Sequence, residues 1–142
     1  MWSAYSNQKI YLDSNIIIYA IERNHSWAQS TKSLLDAMED GVFFAITSEL
    51  AVAEALSRPI AVGNNNLIRK YEQIFATDSR LKMVAIDRNV LFLAAQLRGA
   101  LKLKLFDAIH VATARLAKCD HFLTQDERLG RSRWRAELAP AF

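Results

Sequence analysis

The sequence predicts an α/β fold, a three-layer α/β/α sandwich around a central parallel sheet of four or five strands. Short apolar runs of strand character alternate with helical segments along the chain. The strand runs are apolar on both faces, as expected of a sheet covered by helices on each side; Phe43-Phe44-Ala45-Ile46-Thr47 is the clearest case. With only 4 Gly and 2 Pro in 142 residues, a loop-rich all-β fold is disfavoured. The length fits a single domain spanning residues 1–142, and 51% hydrophobic with 23% charged residues is ordinary for a globular protein.

The first strand is expected over Ile10–Asp13, with Ser14-Asn15 turning the chain into a helix that reaches Glu22. After the polar break Arg23-Asn24-His25, Ser26 and Gln29 have capping-box spacing for a helix running to Asp40, where Gly41 is placed to end it. A second strand covers Phe43–Thr47. The third helix is expected over Glu49–Ser57, stopped by Arg58-Pro59 because the residue before proline disfavours the helical region. Gly63-Asn64-Asn65-Asn66 forms a polar linker to a helix over Leu67–Ala76. A strand at Met83–Ile86 follows, then Asp87 as the cap of a helix over Arg88–Leu101. A helix from Asp107 to Lys118 is rich in small residues that permit close packing, and the fourth strand spans His121–Thr124. Trp134 and Leu138 sit where a short edge strand is expected.

Residues 1–60 carry 4 basic and 7 acidic side chains, net −3, whereas residues 61–142 carry 14 and 8, net +6. The second half suits a polyanionic partner as well as it suits a plain solvated surface, with Arg128, Arg131, Arg133 and Arg135 close together. The lone Cys119 excludes an internal disulfide framework and fits a reducing cytoplasm. No apolar run approaches membrane-spanning length, and the first residues lack the pattern of a secretion signal, so a cytoplasmic protein without a membrane partner is expected.

Most of the 15 acidic residues read as surface charge. Asp36, Glu39 and Asp40 lie at the polar end of a helix, Asp78 and Asp87 in turn or cap positions, and Glu22 and Glu72 on exposed helix faces. Four others are placed differently. Asp13 ends the first strand, at the rim of a parallel sheet where ligands collect, and alone it reads equally as a helix cap. Glu54 shares a helix face with Leu50 and Ala51, and its alternative is an ion pair four residues on with Arg58. Asp107 opens the small-residue helix, where a plain cap is the alternative. Asp126 follows the fourth strand by two residues, with the Thr124 hydroxyl on the same rim, and otherwise reads as a turn residue.

Strand ends and the helix starts that follow them share one rim, so these carboxylates are expected to converge. Two like charges about 4 Å apart repel by about 4 kcal/mol at an effective dielectric near 20, so the group must take up protons or hold a cation. An all-oxygen set suits Mg²⁺ or Mn²⁺ rather than Zn²⁺. His25, His110 and His121 do not form a zinc set; His110, one turn after Asp107, is the one near the site, in a packed or hydrogen-bonded role.

Four segments carry a family resemblance. Leu12-Asp13-Ser14-Asn15, Ser48-Glu49-Leu50-Ala51-Val52-Ala53-Glu54, Phe106-Asp107-Ala108-Ile109-His110-Val111-Ala112-Thr113-Ala114 and Phe122-Leu123-Thr124-Gln125-Asp126 resemble, in order and register, the four motifs of the PIN domain. The compact length resembles the VapC-type toxins of prokaryotic toxin–antitoxin pairs. The resemblance spans Ile10 to Leu129, and the Asp107 segment followed by Thr-x-Asp is its most specific part. It implies a metal-dependent endoribonuclease that takes RNA as substrate, dimerises and is silenced by an antitoxin. Carried over, the acidic set is Asp13, Glu54, Asp107 and Asp126, with Asp13 and Asp107 as main metal ligands and Thr124 and Ser14 supporting. Phe106 departs from the proline that many relatives carry before the Asp.

Other classes fit less well. A haloacid-dehalogenase-like phosphatase needs a second Asp where Asn15 stands, and a receiver domain needs an Asp where Thr47 or Ile86 stands. A PIN-fold nuclease outside a toxin system, acting in RNA processing or on DNA, remains an alternative, as does an inactive PIN-fold binding module, against which an intact acidic quartet argues.

Overall fold

Alternation along the first strand sets the layers. In the computed structural model, which describes residues 2–23 and 28–125, β1 (Lys9–Leu12) sends Ile10 and Leu12 into one apolar cluster and Tyr11 into another. The first cluster collects α1 (Ser14–Glu22), α2 (Ala28–Glu39), α3 (Leu50–Val62) and α4 (Asn65–Phe75), through residues such as Ile17, Met38, Ala51 and Tyr71. On the opposite face Tyr11 and Ile46 meet α6 (Leu105–Leu116), which packs against α5 (Arg88–Leu101) through Val90, Ala94, Leu97, Ala108 and Ala112. Between these helical layers lie β1, β2 (Phe44–Ser48), β3 (Leu81–Val84) and β4 (His121–Leu123), all parallel, in the order β3-β2-β1-β4. This is the expected α/β/α sandwich, with four strands among the described residues. The edge strand expected near Trp134 and Leu138, and the Ser26 cap, lie outside them.

Several boundaries differ from the sequence-based expectation. The third helix does not stop before Pro59; it runs on to Val62. Proline removes one helical hydrogen bond, but here its ring is buried and only three helical residues follow it. Gly63, at φ +70°, then caps the helix through its N–H to Ile60 O. The helix begins at Leu50, whose N–H donates to Ser48 Oγ at 3.0 Å, leaving Glu49 without a side-chain capping role. Asn64, expected in a linker, caps α4 by accepting from Leu67 N, and Asp87 caps α5 through Val90 N as expected. The third strand lies two residues earlier than expected, because its pairing matches Ala45 with Leu81 and Ser48 with Val84. Asp107 is not a cap: α6 starts at Leu105, which puts Asp107 inside the first turn. Glu22, expected on an exposed face, is half-buried and accepts a hydrogen bond from the Tyr71 hydroxyl at 2.5 Å.

The two helical glycine environments give opposite expectations. A Cβ at Gly63 or at Gly99 meets nothing within 4 Å, so only the backbone distinguishes them. Gly63→Ala places an L side chain at positive φ and should destabilise by about 1–2 kcal/mol. Gly99→Ala, inside exposed α5, should stabilise by about 0.5–1 kcal/mol. Urea unfolding of the two variants beside the parent checks both signs.

Candidate functional site

Period-two alternation carries past the end of β1, so Asp13 follows Tyr11 onto the α6 side of the sheet. Asp13 is 5% exposed, and both its carboxylate oxygens are engaged. Oδ1 accepts from the Ser14 backbone N–H at 2.8 Å, and Oδ2 accepts from the Thr124 hydroxyl at 2.7 Å. The β1–β4 register, with Leu12 opposite Leu123 and Asp13 N–H donating to Leu123 O, brings Thr124 to this position. On the other side of β1, the buried Thr47 hydroxyl at the end of β2 donates to Leu12 O at 2.7 Å. The C-terminal ends of the three strands are thus tied together around Asp13.

His110 brings a second carboxylate in. Its side chain is 1% exposed on the inner face of α6, and its Nε2 lies 2.6 Å from Glu54 Oε1 and 3.8 Å from Asp13 Oδ1. Both distances are measured from one nitrogen, so the two acidic groups flank the same imidazole edge. The other ring nitrogen, Nδ1, is 2.6 Å from the Tyr11 hydroxyl. Burial pushes the Tyr11 hydroxyl well above the ordinary tyrosine range, so it keeps its proton. A hydrogen on Nε2 is donated to the Glu54 carboxylate, while Nδ1 pairs with the Tyr11 hydroxyl, which has Thr47 as a further side-chain partner. Glu54 is therefore tied to α6, and among the described residues no ion pair joins it to Arg58.

Asp107 stands three residues before His110, on the same side of α6 and half-buried. Among the described residues no three His, Cys, Asp or Glu side chains are close enough to form a ready-made metal cluster. Asp13 and Glu54 converge around His110 with Ser14 and Thr124 at Asp13, Asp107 stands one turn before His110 on α6, and Asp126 lies outside the described residues. The donor chemistry nevertheless fits a hard cation, since Mg²⁺ takes one or two carboxylates and keeps several waters. Burial raises the Asp13 carboxyl above the ordinary Asp value, opposed by His110, by the Thr124 and Ser14 hydrogen bonds, and reinforced by Glu54. A cation beside it would relieve that penalty.

Sequence reasoning placed His110 near the site in a hydrogen-bonded role but missed Tyr11. The signal was the Tyr-x-Asp spacing, which puts the hydroxyl and the carboxylate on one face of the strand. Cys119 is buried, which pushes its thiol up to about 12 and leaves it unreactive. An open groove of about 700 Å³ beside α1, α2 and α4, lined by Glu22, Arg23, Asp36, Lys70 and Asp78, contains none of the residues around Asp13.

The family model of the PIN domain matches residues 10–134. The chain belongs to the PIN domain family. No curated protein matches it. Among solved structures, a VapBC2 complex from Rickettsia felis bound to a promoter DNA fragment superposes with a TM-score of 0.68 at 18% identity, over 87% of this chain and 92% of that one. A toxin–antitoxin complex from Klebsiella pneumoniae gives 0.61 at 20% identity, covering 86% and 92%. The Mycobacterium tuberculosis toxin VapC20, described as cleaving the sarcin–ricin loop, gives 0.67 at 12% identity, covering 86% and 95%. At these identities the likeness shows that this PIN domain shares their fold.

The raised Asp13 carboxyl fixes a pH dependence. Because the folded state binds this proton more tightly than the unfolded chain, ionised Asp13 lowers stability once pH rises above the unfolded value near 3.8, and the loss is complete above the folded value. Asn can accept from Ser14 N–H and donate to Thr124, so Asp13→Asn should melt higher than the parent at pH 7 without divalent cations. The gain should be about 2–4 °C for each kcal/mol relieved, shrinking below about pH 4. Thermal melts from pH 3.5 to 7.5 in chelator check this.

Proposed function

We propose that this PIN domain is a metal-dependent endoribonuclease and the toxin of a toxin–antitoxin pair. The observation that carries the nuclease reading is the meeting of Asp13 and Glu54 at one buried imidazole, on the C-terminal rim of the parallel sheet. A solvated surface has no use for two carboxylates so placed, one of them 5% exposed. The toxin reading is supported by the solved relatives, two of which are toxin–antitoxin complexes.

In this reading Asp13 and Asp107 are the main ligands of Mg²⁺ or Mn²⁺, and Glu54 and Asp126 complete the acidic pocket directly or through water. The bound cation supplies Lewis-acid polarisation of a phosphate oxygen and a bound water of lowered pKa. Thr124 and the Ser14 N–H hold the Asp13 carboxylate in one orientation, so its lone pairs are not free to turn away. Glu54 is held by His110 and stays partly exposed, 23% of its side chain, where substrate water reaches it. The net +6 of residues 61–142 provides attraction for the RNA backbone around a pocket that is itself acidic. The protein is expected to work in the cytoplasm as a homodimer, and its antitoxin to cover this rim.

Purified protein incubated with structured and single-stranded RNA, and with DNA of the same sequence, tests the reading. Cleavage should require Mg²⁺ or Mn²⁺, stop with EDTA, and be confined to RNA. Asp13→Asn and Asp107→Asn should each lower the rate by at least about a hundredfold, equivalent to roughly 2.7 kcal/mol of barrier. Full activity in Asp13→Asn protein would overturn the assignment, and metal-dependent cleavage of DNA alone would move the chain to the DNA-acting alternative.

A further inference from the structure

We propose that His110 is a positioning residue for Glu54, and that the Tyr11 hydroxyl fixes the imidazole in the orientation this requires. The inference rests on the metal-nuclease reading above and adds two residues to it. Glu54 reaches the rim from α3 on a side chain with three rotatable torsions, so its carboxylate is not placed by the backbone alone. Among the described residues, what restrains it is the hydrogen bond between His110 Nε2 and Oε1 at 2.6 Å. The same nitrogen is 3.8 Å from Asp13, beyond hydrogen-bond range, so the imidazole serves Glu54.

The restraint is only as firm as the ring, and the ring is held at both ends. Nδ1 meets the Tyr11 hydroxyl at 2.6 Å. Tyr11 itself is fully buried in the central strand and stacked on Phe122, with ring centroids 5.1 Å apart and planes 10° from parallel. A hydrogen-bond line thus runs from the sheet interior through Tyr11 and His110 to Glu54, and ends on the one member that is partly exposed. With Oε1 occupied by the imidazole, Oε2 is, among the described residues, the oxygen left to face a cation. Outer hydrogen bonds of this kind orient ligands, and their loss costs about 10–100-fold in metal affinity.

Calorimetric Mn²⁺ titration of the intact protein tests this without reference to turnover, using His110→Leu, His110→Gln, Tyr11→Phe, Glu54→Gln and the His110→Leu/Glu54→Gln double variant. His110→Leu should weaken Mn²⁺ binding about 10–100-fold, and His110→Gln, which retains an N–H near the Nε2 position, should recover most of it. In the Glu54→Gln background His110→Leu should add little, since its effect passes through Glu54. ¹⁵N NMR of the imidazole should show hydrogen on Nε2 in the parent and a shifted tautomer balance in Tyr11→Phe. Mn²⁺ affinity unchanged in folded His110→Leu overturns the proposal, as does a His110→Leu effect that persists in full without Glu54. If His110→Leu does not fold, unaltered affinity and tautomer in Tyr11→Phe overturn it. Failure of the parent to bind Mn²⁺ is read separately, in the wild-type titration, and rejects the metal-nuclease reading and this inference together.

Discussion

A carboxylate withdrawn from water must be compensated by hydrogen bonds, opposite charge or a proton, and Asp13 is the group on which that requirement falls here. Its compensation draws on separate parts of the chain: the Ser14 N–H at the start of α1, the Thr124 hydroxyl after β4, and the His110 ring from α6. Each of those is positioned by something else. Thr124 depends on the β1–β4 register, and a slip of one residue would turn the wrong side chain toward the carboxylate. His110 depends on the small residues of α6, where fully buried Ala108, Ala112 and Ala114 let the helix settle closely on the sheet. The fold thereby holds a carboxylate where burial disfavours its charge, and several elements share in the compensation.

The second helical layer does a different job. It receives Ile10 and Leu12 from the same strand that carries Tyr11, and it fixes where α3 lies. Because α3 runs past Pro59 to Gly63, it is a thirteen-residue element anchored by buried Ala51, Ala55 and Pro59. Ala51 and Ala55 bracket Glu54, so the carboxylate is carried on a part of the helix that is well packed. The site consequently joins both helical layers across the ends of the strands.

Much of this architecture was legible in the residues. Apolar runs marked all four strands, since a strand buried on both faces leaves no ambiguity of side. Asp87 announced the start of α5 through the same chemistry it uses in the structure. The misplacements have specific causes. Pro59 reads as a stop because local geometry is all that a sequence window registers, whereas burial of its ring is a tertiary fact. β3 was set two residues late because Ala85 and Ile86 are as apolar as Leu81 and Met83, and only pairing with β2 separates them. Asp107 looked like a cap because the helix begins on Leu105-Phe106, two apolar residues that give no start signal. At the site, His110 beside Asp13 and Glu54 follows from the topology, but its Tyr11 partner does not: Tyr11 and His110 are 99 positions apart, and nothing in either local pattern names the other.

The order β3-β2-β1-β4 also has a consequence for biosynthesis. The strand that flanks β1 on one side is the next in sequence, and the strand on its other side is the last of the four described strands to be made. A nascent chain can assemble β1, β2 and β3 while Asp13 still lacks its Thr124 partner and one edge of β1 is unpaired. The Asp13 carboxylate therefore acquires its Thr124 hydrogen bond only after the chain beyond β4 has been made. Prematurely terminated products that end before β4 carry Asp13, Glu54 and Asp107 but not the strand that closes the sheet around them. Both the free edge of β1 and the open Asp13 oxygen are thus closed by one late segment of the chain.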